Sequence, residues 1–139
     1  MIKLKDNISI LLITINIIFL LYFASQLLIF TNEFALNNIG FFNHAVAGLC
    51  EIIGIIFLSL SVGLFLSIIN GCKNYEPLFI TILFMQILIS FNFWRYVFTN
   101  SPGESNLQTI QFNAIFFSLI SLIMLLLIFR LRVIQKIRS

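Results

Sequence analysis

Charge is what this chain has least of. Only 9% of its 139 residues are Asp, Glu, Lys or Arg, against 60% apolar, and a soluble domain of that length could not cover its exterior with so little polar side chain. There is one histidine, which excludes a bis-histidine haem. The two cysteines, Cys50 and Cys72, form no Cys-x-x-Cys pair, which argues against a thiol oxidoreductase of the membrane disulfide-forming kind. They stand 22 positions apart across the second apolar segment, about 33 Å of helix, too far to bridge each other. The sequence has no Gly-rich phosphate loop, Walker-type motif, internal repeat or low-complexity tract.

What the chain has in quantity is long apolar runs. Four lie near residues 8–30, 41–69, 78–98 and 110–131, and at about 1.5 Å per residue each can cross a hydrocarbon core of roughly 30 Å. Membrane strands would be short and would alternate polar with apolar residues; a run such as LISLIMLLLIF (119–129) does not alternate. The first run follows Lys3 and Lys5, as in a signal peptide. It is about twice the length of a typical h-region and no small-x-small cleavage site follows, so it reads as a retained helix. The expectation is an all-α, integral membrane four-helix bundle formed by a single domain over residues 1–139, with the lipid bilayer as its first partner.

Seven of the eight basic residues, Lys3, Lys5, Lys73, Arg130, Arg132, Lys136 and Arg138, fall on one side of a four-crossing chain, leaving Arg95 near the other. That bias predicts both termini in the cytoplasm. The net charge of +3 is thereby explained without nucleic acid. The first outer connection, TNEFALNNIGFFN (31–43), reads as an interfacial loop with Gly40 supplying a sharp turn. The short inner loop NGCKNYEP (70–77) predicts that the second and third helices are antiparallel neighbours, with Pro77 in the first turn of the third. In the second outer loop, Ser101, Pro102 and Glu104 form a Ser-x-x-Glu capping box with proline at the first helical position.

Polar residues within the apolar runs are few enough to weigh one by one. In NHAVAGLCEIIG (43–54), His44 and Glu51 are seven apart and share a helix face with Ala47, Gly48, Gly54 and Leu58. Small residues there would admit a neighbouring helix, so Glu51 is expected to point into the bundle. A bare carboxylate at that depth costs at least about 2–3 kcal/mol on insertion scales and calls for a partner or a proton. Arg95, with Asn92 three residues before it, ends the third segment, and Gln111 and Asn113 open the fourth. Glu51 and Arg95 are therefore expected to pair with Asn92, Gln111 and Asn113 nearby. Three roles stay open: a structural clamp, the lining of a small pocket open to the outer face, or a lone protonatable Glu51. His44 lacks a second His or Cys for a metal site, and no cofactor is expected. The inner halves are apolar apart from Thr14, Asn16, Thr81, Gln86 and scattered serines.

Several of these motifs occur together in one group of proteins. Ile39-Gly40, AVAGLCEIIG (45–54) followed by LSLSVGLFL (58–66), FWRYVF (93–98), SPGE (101–104) and QFN (111–113) resemble the uncharacterised four-helix bacterial membrane proteins related to the DoxX group. The resemblance implies fold and topology and adds little chemistry; the expected location is the bacterial inner (cytoplasmic) membrane.

Three classes of function follow. The first is a non-enzymatic accessory protein or small binding module, holding a lipid head group or small solute, a membrane-protein partner or a further copy of itself. The second is a small proton-coupled transporter using Glu51; the strong charge bias, which suits one orientation, opposes an antiparallel pairing of identical chains. The third, an enzyme, lacks a nucleophile with a base or converging metal ligands.

Overall fold

The computed structural model describes residues 6–99 and 106–138, so Lys3, Lys5 and the Ser101–Glu104 capping box lie outside the described residues. Among them five α-helices form: α1 (Asn7–Leu28), α2 (Thr31–Asn38), α3 (His44–Asn70), α4 (Glu76–Thr99) and α5 (Leu107–Arg138), with a 3-10 turn at Cys72–Asn74. Local chemistry sets their ends. Asp6 caps α1 by accepting from the Ser9 amide, and Asn43 caps α3 by accepting from Val46 N at 2.9 Å. Asn106 accepts from the amides of Gln108 and Thr109 and so caps the start of α5. Gly40 (φ 88°) and Gly71 (φ 87°) end α2 and α3 in the left-handed region that other residues avoid.

The expected first outer loop contains a helix. Thr31, Ala35 and Asn38 recur at i, i+4 and i+7, and Thr31 and Ala35 are buried against the bundle. The eight residues of α2 therefore have an inward stripe of their own, which the polar composition of TNEFALNN obscures.

The four long helices are each long and apolar enough to cross a membrane. They expose Leu11, Ile18, Ile55, Phe84, Phe91, Phe112 and Leu126, an exterior that suits lipid and not water. The chain is a multi-pass helical membrane protein. Two antiparallel pairs make up its bundle: α1 packs along α3, α4 packs along α5, and α1 joins the pairs by meeting α5. Helices α3 and α4 meet at few points, one being Gly63 against Leu78, so the short inner loop does not make them neighbours along their length. The physical reason is a shared aromatic centre. The ring of Phe117 on α5 lies 4.7 Å from Phe23 on α1, 6.4 Å from Phe57 on α3 and 5.7 Å from Phe93 on α4, so all three other spans are drawn to α5 and α1. Where α1 crosses α3, a Cβ on Gly54 would lie 2.7 Å from Leu28 Cγ and 3.1 Å from Leu27 Cβ, an approach only glycine permits.

One end of the bundle gathers the ion pairs found among the described residues. Arg130, late in α5, grips Asp6 in a fork, Nε to Oδ2 at 2.7 Å and Nη2 to Oδ1 at 2.8 Å, and Arg132 reaches Glu76 at 2.7 Å. The start of α1 and the end of α5 thus share one face of the membrane, here the terminal face. The guanidinium and the Ser9 hydroxyl hold the Asp6 carboxyl well below the usual carboxylate range.

Candidate functional site

The six residues singled out in the sequence do not converge. Asn113 is buried on α5 and donates to Asn38 Oδ1 of α2 at 2.6 Å; Asn38 in turn donates to the Phe34 carbonyl at 2.9 Å. This chain of carboxamides fastens α2 to the far end of the bundle. Gln111 and Asn92 are exposed, as is His44 in the first turn of α3. Arg95 faces outward with its guanidinium 4.9 Å over the Tyr96 ring.

Glu51 is exposed, not turned inward, and among the described residues it makes neither a salt bridge nor a side-chain hydrogen bond. The expected Glu51–Arg95 pair is absent for a simple geometric reason. The buried stripe of α3 is Cys50, Gly54, Phe57, Ser61 and Leu64, and one residue is about 100° of helix rotation. Glu51 follows Cys50 directly and so stands on the flank. Of the small residues assigned to its face, Gly54 belongs to the α1 crossing, whereas a Cβ on Gly48 would meet nothing within 4 Å. Gly48 and Glu51, three apart, therefore form an open notch beside a carboxylate on the bundle's exterior.

The depth of these charges decides their energetics. With α3 centred on a hydrocarbon core about 30 Å thick, Glu51, six residues from the helix middle, lies about 9 Å from the midplane. With α4 centred likewise, Arg95, seven to eight residues from the helix middle, lies about 11 Å from the midplane in the same half, away from the terminal face.

A second polar feature sits in the middle of the membrane. Asn16 on α1 and Gln86 on α4 are both fully buried, each about 14–15 Å along its helix from the terminal face. Gln86 Nε2 donates to Asn16 Oδ1 at 3.0 Å, and Asn16 Nδ2 donates to the Leu12 carbonyl at 3.0 Å. The order of donors is fixed. The Leu12 carbonyl can only accept, so Asn16 presents its NH2 there and its oxygen to Gln86, and Gln86 must answer with its own NH2. Gln86 Oε1 is then left buried with no donor. Both residues were visible in the sequence as isolated polar positions; their equal depth on two helices running in the same direction was the signal that would have paired them. Beside them, Ser90 and Trp94 of α4 both meet the Ser118 hydroxyl of α5, at 2.7 and 3.1 Å.

At the terminal face, Cys72, Glu76, Phe79, Ile128, Leu131 and Arg132 line a recess roughly one water in size. Cys50 and Cys72 are both buried and free, and burial pushes the Cys72 thiol up to about 11. Among the described residues no group of three His, Cys, Asp or Glu side chains could hold a metal ion.

Comparison with family models, with curated proteins and with solved structures returns no match. The four-helix membrane layout rests on the chain's own helices, and the DoxX-like motifs have no family match behind them.

Proposed function

We propose that this chain is a non-enzymatic accessory protein of the bacterial inner membrane, which meets a partner through the exposed far half of α3. One observation carries the proposal: Glu51 faces out of the bundle at membrane depth, beside the open notch at Gly48. A charged side chain against lipid costs about 2.5–3.5 kcal/mol at the bilayer centre and less toward the interface, whereas a partner helix seated on Gly48 could approach closely and supply a donor. The alternative of a proton-coupled transporter needs its carboxylate to line a substrate route, and within one copy Glu51 lies outside the interior. The basic residues at the face that holds the termini, including Arg130 and Arg132, support a cytoplasmic side for that face.

The test is co-purification from native membranes with the parent chain, Glu51→Gln and Gly48→Leu. The expected result is loss of a membrane-protein partner in both variants, with thermal midpoints held near the parent's, since neither side chain touches the bundle's core. Glu51-dependent, proton-driven uptake by proteoliposomes would overturn the proposal in favour of transport.

A further inference from the structure

Apart from Glu33, exposed on the short α2 beyond the far end of the spans, the charges of the described bundle divide into two groups. At the terminal face, Asp6 and Glu76 are each held by an arginine of the same copy. In the far half of the spans stand Glu51 and Arg95, opposite in sign, both exposed, and within about 2 Å of the same depth by helix rise.

They cannot meet within one copy. On α3, Gly54 marks the side that faces α1 and Gly63 the side that faces α4, through Leu78. Helical rotation puts Glu51 about 60° from Gly54, on the side opposite the buried stripe of Cys50, Phe57, Ser61 and Leu64, and about 120° from Gly63. On α4 the buried stripe runs through Phe79, Ile82, Gln86 and Ser90, and Arg95 falls on the face turned away from it. The two charged faces are therefore on different outer sides of the bundle, with α3 and α4 in touch at only a few points.

We propose that copies of this chain associate side by side in the membrane, Glu51 of one copy pairing with Arg95 of the next. Both chains then lie in one orientation, so the equal depth of the two residues becomes the register of the contact. Gly48, one turn from Glu51 and open on its outer side, is where α4 of the next copy approaches. Asn92, on the turn before Arg95 and exposed, comes within the same contact. An interface between two different patches is head-to-tail, and it closes into a ring or continues as a row according to the rotation between copies. This inference rests on the reading that Glu51 faces a protein partner and names that partner as a second copy.

The experiment measures association of the full chain in liposomes by energy transfer between donor- and acceptor-labelled copies, across a range of protein-to-lipid ratios. The parent associates. Glu51→Gln and Arg95→Gln each weaken association tenfold or more. Glu51→Arg alone and Arg95→Glu alone are monomeric, because each brings like charges together. An equal mixture of those two variants associates again, in pairs that contain one of each, and the double variant E51R/R95E associates by itself. If the reversals fail to fold, judged by helix content and thermal midpoint, the two neutral variants decide. A parent that stays monomeric at every density, or neutral variants that associate like the parent, overturns self-pairing. The broader reading is separable: a monomeric parent whose co-purifying partner is lost in Glu51→Gln refutes self-pairing and leaves the accessory role, whereas a monomeric parent with no Glu51-dependent partner refutes both.

Discussion

Replacing Asn16 by Leu should destabilise the bundle far more than replacing Gln86 by Met, although the two side chains share one hydrogen bond. The difference comes from which atoms are stranded. In the parent the relay runs from Gln86 Nε2 to Asn16 Oδ1 and from Asn16 Nδ2 to the Leu12 carbonyl, and Gln86 Oε1 is already unpartnered. A buried polar group without a partner costs about 1–3 kcal/mol, and an interhelical side-chain bond in a membrane contributes about 0.6 kcal/mol on average. Gln86→Met loses the bond and strands Asn16 Oδ1, but removes the stranded Oε1, so the net loss is about 0.5–1 kcal/mol. Asn16→Leu loses the bond, strands Gln86 Nε2 and keeps the stranded Oε1, a loss of about 1.5–4 kcal/mol. The double variant removes every stranded atom and should match or exceed the parent by about 0.5–2 kcal/mol, since apolar replacement of both partners is nearly neutral or stabilising. Unfolding of the four proteins in one detergent or lipid, followed by helix signal against denaturant, gives the full cycle. A double variant as unstable as the sum of the singles would refute the reasoning, as would an Asn16→Leu chain no weaker than Gln86→Met.

Gly54→Ala should lower stability by about 1–3 kcal/mol by forcing α1 and α3 apart at Leu27 and Leu28, whereas Gly48→Ala, with open space around it, should be neutral or gain up to about 1 kcal/mol from helix propensity; thermal midpoints of the two compare them directly. Asp6→Asn should cost about 1 kcal/mol, the upper end for a partly exposed pair. The folded carboxyl of Asp6 lies below its ordinary value of 3.8, so its contribution is complete above about pH 4 and is lost as pH falls through the folded value. An Asp6→Asn chain should thus lose less stability than the parent on acidification. The Cys72 thiol, at about 11 against an ordinary 9.0, should react with a thiol reagent at pH 8 about a hundredfold more slowly in the folded than in the unfolded chain, from its thiolate fraction alone; mass spectrometry after timed labelling reads this out.

By itself the sequence determined that the chain is helical and built for a membrane, because run length and the scarcity of charge are properties of composition and do not depend on which helix touches which. It also located the turn at Gly40, where a left-handed φ admits glycine best. Rotation about each helix axis was beyond it. With all four spans apolar on nearly every side, periodicity gives no sharp inward face, and His44, Gly48, Glu51 and Gly54 could be grouped on one face with equal reason on either flank. Tertiary structure broke that tie: Gly54 went to α1 because Leu27 and Leu28 press against it, and Glu51, three residues earlier, was left outside. Neighbour choice was decided at the same level. Phe117 gathers rings from three other helices, so α3 and α4 part despite their short connection. The pairing of Asn16 with Gln86 arises likewise, since residues 70 positions apart meet only when α1 and α4 run in the same direction at the same depth.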